Sequence, residues 1–139
     1  MFIPPIDPRS IAAPSREIFA AMGHANIERM IGDFYAELER SSIRPMFGAD
    51  MAHGAERSAA FFVGLLGGPP LYHERYGNPM MRARHMPFPI DQASRDVWLA
   101  CFHTVLERAE AYDFPAEHLP GFKAFLEGFS IWMMNTEQK

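Results

Sequence analysis

Cysteine is almost missing: Cys101 is the only one in 139 residues. A single thiol excludes an intramolecular disulfide, a four-cysteine zinc site and an iron–sulfur cluster held by this chain alone. It also excludes covalent haem attachment through Cys-x-x-Cys-His. β-Formers are scarce, with three Val and two Thr, and no run alternates in polarity, so no strand is expected. No long run of Lys and Arg occurs and the formal net charge is −4, which argues against a nucleic-acid surface or an anionic membrane partner. No apolar run approaches the roughly 18 residues of a membrane span. No Lys or Arg precedes Arg9, and Pro4, Pro5 and Pro8 interrupt the start, so a secretory signal is not expected and a cytoplasmic location is. Glu-x-x-His, His-Glu-x-x-His and Gly-Lys-Ser/Thr are absent, which removes the patterns of di-iron bundles, zinc proteases and phosphate loops.

What the chain has in quantity is Phe, twelve, and Met, ten. Such side chains fill an irregular core, or shape one around a flat apolar ligand; composition alone favours the former. The twelve prolines cluster. Residues 1–14 hold four and read as a flexible or loosely docked extension; residues 15–139 read as one domain. The proline-free windows 15–44, 46–68, 90–114 and 121–139 are spaced as helices. Ile27, Met30, Ile31, Phe34, Tyr35 and Leu38 form one stripe; Ser58, Phe61, Phe62, Leu65 and Leu66 a second. Val97, Trp98, Cys101, Phe102, Val105, Leu106 and Ala109 form a third; Phe122, Phe125, Leu126, Phe129, Trp132 and Met133 a fourth. Ser15 is placed to cap a short first helix ending near Gly23, Asp91 or Ser94 to cap the third-window helix, and Gly67-Gly68-Pro69-Pro70 to end the second. The expected fold is all-α, with a long loop-rich stretch over 67–96.

Polar residues on apolar stripes are the informative anomalies: Tyr35, Ser58 and Trp98, to which the Met-flanked His85 is added. Each has an ordinary structural use. Tyr and Trp sit in cores with the polar tip bonded, Ser bonds back to the preceding turn, and most histidines bind no metal. His85 stands out among six histidines. Pro79 can open a short helix and Pro87 must end it, which puts His85 in its last turn between Met and Phe. Neutral imidazole is the usual protein ligand to a non-covalent haem iron, and Arg82 and Arg84 are placed to meet propionates. Cys101 and His103 fall on different helix faces, so Cys101 is expected to pack and not to react.

Phe34-Tyr35, Gly67-Gly68-Pro69 with Tyr72, Tyr76-Gly77, Arg84-His85, Pro87-Phe88, Ile90, Arg95-Asp96 and Trp98-Leu99 together resemble the truncated haemoglobins, most of all their second group. The likeness spans roughly residues 15–135. It implies a two-over-two helical sandwich around a non-covalent haem b (iron protoporphyrin IX), with His85 as the proximal iron ligand. Tyr35 and Trp98 become donors to the bound gas, and Phe34, Gly54 and Ser58 its further surroundings. Phe47, Phe61 and Phe88 would pack on the haem, and Arg57, Tyr72 and Arg84 reach its propionates. Gly54 stands where many globins keep a distal histidine, which suggests open space at the iron. Where relatives often carry Gly-Gly, Tyr and Leu or Gln, this chain has Gly23-His24, Phe47 and Ser58, so a hydroxyl is lost at 47 and another gained at 58.

The function this implies is reversible binding of a diatomic gas (O2, CO or NO) at iron, for storage, delivery or sensing. The alternative is a haem enzyme, a nitric oxide dioxygenase or peroxidase, whose reductase would be a separate partner. Relatives are often dimers, and a homodimer is the assembly the resemblance suggests. A cofactor-free helical interaction module is the remaining class.

Overall fold

Spacing and breakers account for most of the helix boundaries. The computed structural model describes residues 2–137, so Met1 and residues 138 and 139, the ends of the two expected segments, lie outside the described residues. Seven α-helices follow in order: α1 Ile18–Met22, α2 His24–Glu39, α3 Met51–Leu65, α4 Leu71–Tyr76, α5 Met81–His85, α6 Gln92–Leu106 and α7 Leu119–Met133. Short 3-10 turns sit at Pro8–Ser10, Arg44–Met46, Ala109–Tyr112 and Ala116–His118. The described residues include no strand.

The sandwich is built from α2 against α3 and α6 against α7, with α2 also packed on α6. One phenylalanine from each of these helices meets at its centre. Phe34 and Phe102 lie 4.2 Å apart between ring centroids, Phe62 and Phe102 5.7 Å, Phe102 and Phe122 5.7 Å, and Phe62 and Phe122 6.0 Å. All four are buried. Tilted and edge-on pairs of this kind add about 0.5–1.5 kcal/mol each beyond the area they bury.

One expected cap is present and one is not. Asp91 caps α6, its carboxylate accepting from the Ser94 amide at 2.8 Å. Ser15 does not cap α1: its hydroxyl accepts from the Glu17 amide at 3.1 Å, tightening the preceding turn, and Glu17 occupies the cap position. Pro120 does not precede the last helix but lies in its first turn, where a missing N–H costs nothing. The stretch 67–96 is less irregular than its composition suggests. It contains α5, the short helix expected between Pro79 and Pro87, and α4, too short for apolar periodicity to reveal. Gly23, at φ +81°, ends α1 and starts α2 in a single residue. Residues 6 and 11 of the extension lie on α7: a Cβ added to Gly128 would come within 3.2 Å of Ile11 and 3.5 Å of Ile6.

Candidate functional site

Residues of α2, α3, α4, α5, α6 and α7 line a cavity of about 560 Å³. The apolar part of its wall is mainly aromatic and sulfur-bearing: Phe34, Phe47, Phe61, Phe62, Phe88, Phe129, Trp98, Met46, Met81 and Met133. Twelve of the thirteen residues assigned to a haem site from the sequence line it: Phe34, Tyr35, Phe47, Gly54, Arg57, Ser58, Phe61, Tyr72, Arg84, His85, Phe88 and Trp98. They come from five helices and two loops spread over 65 positions, from 34 to 98.

His85 is the last residue of α5, stopped there by the Pro87 that follows. Its Nδ1 stands 2.6 Å from the Met81 carbonyl, four residues back on the same helix. A carbonyl only accepts, so Nδ1 carries the proton. In the neutral ring that leaves the Nε2 lone pair for another partner.

Tyr35 and Ser58 are joined across α2 and α3, hydroxyl to hydroxyl, at 2.7 Å. Burial pushes the Tyr35 phenol above its ordinary pKa, opposed by the Ser58 bond and the Arg57 charge. The ring therefore stays a protonated donor throughout the neutral range. Gly54 does not leave open space. A Cβ there would stand 3.2 Å from Tyr35 Cε2, so the glycine is the seat that lets the tyrosine ring lie against α3. Phe34 packs edge-on to Tyr35 at 5.7 Å and edge-on to Trp98 at 5.4 Å, holding both rings. Trp98 Nε1 has no protein acceptor among the described residues, yet no buried side-chain nitrogen or oxygen there lacks a partner. The indole N–H thus keeps accessible surface on a residue that lines the cavity.

The cationic groups divide. Arg57 and Arg84 are exposed and line the cavity. Arg57 lies over the Tyr76 ring at 5.9 Å; Arg84 lies over buried Tyr72 at 5.7 Å and donates to the Pro79 carbonyl at 2.7 Å. Arg82, expected to share Arg84's role, does not line the cavity. Two residues apart on a helix means opposite faces, and Arg82 turns to the carbonyls of Trp132 and Met134 at the end of α7. Two residues that the sequence reading did not assign to the site also shape it. Arg95 lines the cavity and bonds Ser130 Oγ at 2.9 Å, and Asn135 binds the segment following His85. Arg95 enters the sequence reading only within the Arg95-Asp96 motif, with no role given to it, and Asn135 carries no sequence signal.

The sequence model of the bacterial-like globins matches residues 17–128. The chain is similar to the group 2 truncated hemoglobin YjbI of Bacillus subtilis, 36% identical over 90 residues that cover 64% of this chain and 68% of that one. It superposes on phosphate-bound Hell's gate globin IV with a TM-score of 0.86 and 31% identity, covering 100% of this chain and 86% of that one. It superposes on a truncated oxygen-avid haemoglobin from Bacillus subtilis with a TM-score of 0.77 and 31% identity, covering 84% and 98%.

Proposed function

The chain belongs to the bacterial-like globins, among the group 2 truncated haemoglobins, and from that premise we propose that its cavity holds a non-covalent haem b and binds oxygen or another diatomic gas reversibly. The observation that carries this reading is the pairing, in one aromatic cavity, of a histidine whose Nδ1 is engaged by Met81 with a distinct set of hydroxyl and indole donors.

The residues suit the group. A flat, mainly apolar macrocycle matches a wall of Phe and Met, and its two carboxylates match the exposed guanidinium groups of Arg57 and Arg84. His85 is the residue to hold the iron: the Nδ1–H bond to Met81 fixes the tautomer and strengthens Nε2 as a ligand. Haem, when bound, supplies an iron that takes up a diatomic gas reversibly. Tyr35 and Trp98 supply O–H and N–H donors to a gas ligand that gathers negative charge, and Ser58 orients the Tyr35 hydroxyl. The apolar wall keeps bulk water from competing for those donors. The oxygen avidity of the similar Bacillus subtilis haemoglobin supports oxygen as the gas.

Absorption spectra of the reduced protein with and without CO test this. A Soret band that shifts with CO is expected. His85→Ala should lose the haem or hold it in a form rescued by added imidazole. A chain that takes up no haem refutes the reading, and wild-type coordination in His85→Ala refutes the ligand assignment.

A further inference from the structure

The hydrophobic core does not hold the helix that carries His85. α5 has five residues, none of them buried, and it starts from Met80 in the left-handed region at φ 41°. So short a helix has little stability of its own. Polar contacts to the end of α7 attach it instead. Arg82, near its start, donates to the Trp132 and Met134 carbonyls, the latter at 2.7 Å, with its guanidinium 4.8 Å from the centroid of the Trp132 ring. Those acceptors belong to the C-terminal end of α7, where a cation is favoured.

Asn135 secures the other end. Its Nδ2 donates to the His85 carbonyl at 3.1 Å and the Phe88 carbonyl at 2.8 Å, and its Oδ1 accepts from the Ile90 amide at 2.9 Å. Two carbonyls on one side and an amide on the other dictate which way the side chain faces. The main chain adds bonds from the Asn135 and Thr136 amides to the Ile90 carbonyl, at 3.0 and 3.3 Å.

We propose that Asn135 is the positioning residue for His85: by tying the His85 carbonyl and the following loop to the end of α7, it sets where the imidazole stands in the cavity. This rests on His85 being the iron ligand. Asn135 is not part of the cavity wall, and it lies beyond residues 17–128 that match the family. Its effect on the iron would pass entirely through the backbone of residues 85–90, as the outer partners of a metal ligand act through the ligand's orientation.

The test compares Asn135→Ala with Asn135→Asp, both of which keep the main-chain bonds to Ile90. Alanine deletes three hydrogen bonds. Aspartate keeps the size and the acceptor for Ile90, but turns a carboxylate oxygen onto two carbonyls. Amide exchange on the protein as purified should be about tenfold or more faster at Ile90 in Asn135→Ala, with the Met86, Phe88 and Ile90 amides faster still in Asn135→Asp. In the haem-loaded protein, transfer of haem to an acceptor apoglobin should accelerate in the same order, and the iron–histidine stretching band should shift. A space-filling role predicts the reverse order, with aspartate close to wild type, and that result overturns the proposal. So does faster exchange with unchanged haem transfer and an unmoved iron–histidine band. Wild-type coordination in His85→Ala overturns the haem-ligand reading and this proposal with it. That failure is distinguishable, because the exchange data depend on the Asn135 bonds alone.

Discussion

Replacing Tyr35 with phenylalanine removes one hydroxyl and little else. The ring keeps its seat over Gly54 and its edge contacts with Phe34 and Phe47, at 5.7 and 6.1 Å. What disappears is the 2.7 Å bond to Ser58 and the donor it orients. A hydrogen bond to an acceptor carrying charge is worth about 1.5–3 kcal/mol, which corresponds to release of oxygen faster by about tenfold to a hundredfold. The lower end is expected for Tyr35→Phe alone, because Ser58, released from the tyrosine, is free to turn its own hydroxyl toward the ligand. Adding Ser58→Ala should then speed release further, by more than Ser58→Ala does in the presence of Tyr35. The two changes are therefore non-additive. Trp98→Phe, which keeps the aromatic contact with Phe34 and deletes the N–H, should also act by about tenfold. Stopped-flow oxygen release measures all four variants, and CO release, less sensitive to charge on the ligand, is the control. Unchanged oxygen release in both Tyr35→Phe and Trp98→Phe would reduce the two residues to packing and remove the proposed mechanism.

Gly67→Ala should be severely destabilising, by about 3 kcal/mol or more in urea denaturation. The residue sits at φ +109°, and a Cβ would lie 1.8 Å from the Arg16 carbonyl oxygen, a backbone atom that cannot move aside. Stability should fall at alkaline pH: burial holds the Tyr35 and Tyr112 phenols above their ordinary value, with the Asp33 bond adding to Tyr112. The unfolded chain ionises these groups near pH 10 while the folded chain stays protonated. Their contribution is therefore complete below about pH 10 and lost as pH rises through the folded values. A stability-versus-pH curve that stays flat above 10 would contradict this. Cys101→Ala should leave gas binding unchanged. Burial first and Glu37 next push the thiol up in pKa, so it should also react slowly with iodoacetamide at neutral pH; fast labelling would show otherwise.

The helical class and the four main helices are legible in one dimension, though on α3 the buried side also takes in Ala59 and Val63 while Ser58 and Phe61 of the expected stripe turn to the cavity. Apolar spacing and proline breaks are local signals, and the four helices longer than ten residues bury the stripe residues Phe34, Phe62, Phe102 and Phe122 as read. The motif-bearing residues are legible too, through the family resemblance, and the structure brings them to one cavity. Local signals fail where distant segments meet. α4 is six residues long, less than two turns, and leaves no periodic trace. Gly54 reads as empty space until α2 brings the Tyr35 ring against it. Arg82 and Arg84 look alike in sequence, and only the position of the α7 terminus separates their roles. Asn135 is 50 positions from His85, and nothing in either neighbourhood announces the other. Spacing along a chain encodes which side of a helix is apolar. It does not encode which polar group the next layer presents, because that depends on how the helices are stacked, and the stacking is decided by the packed core as a whole.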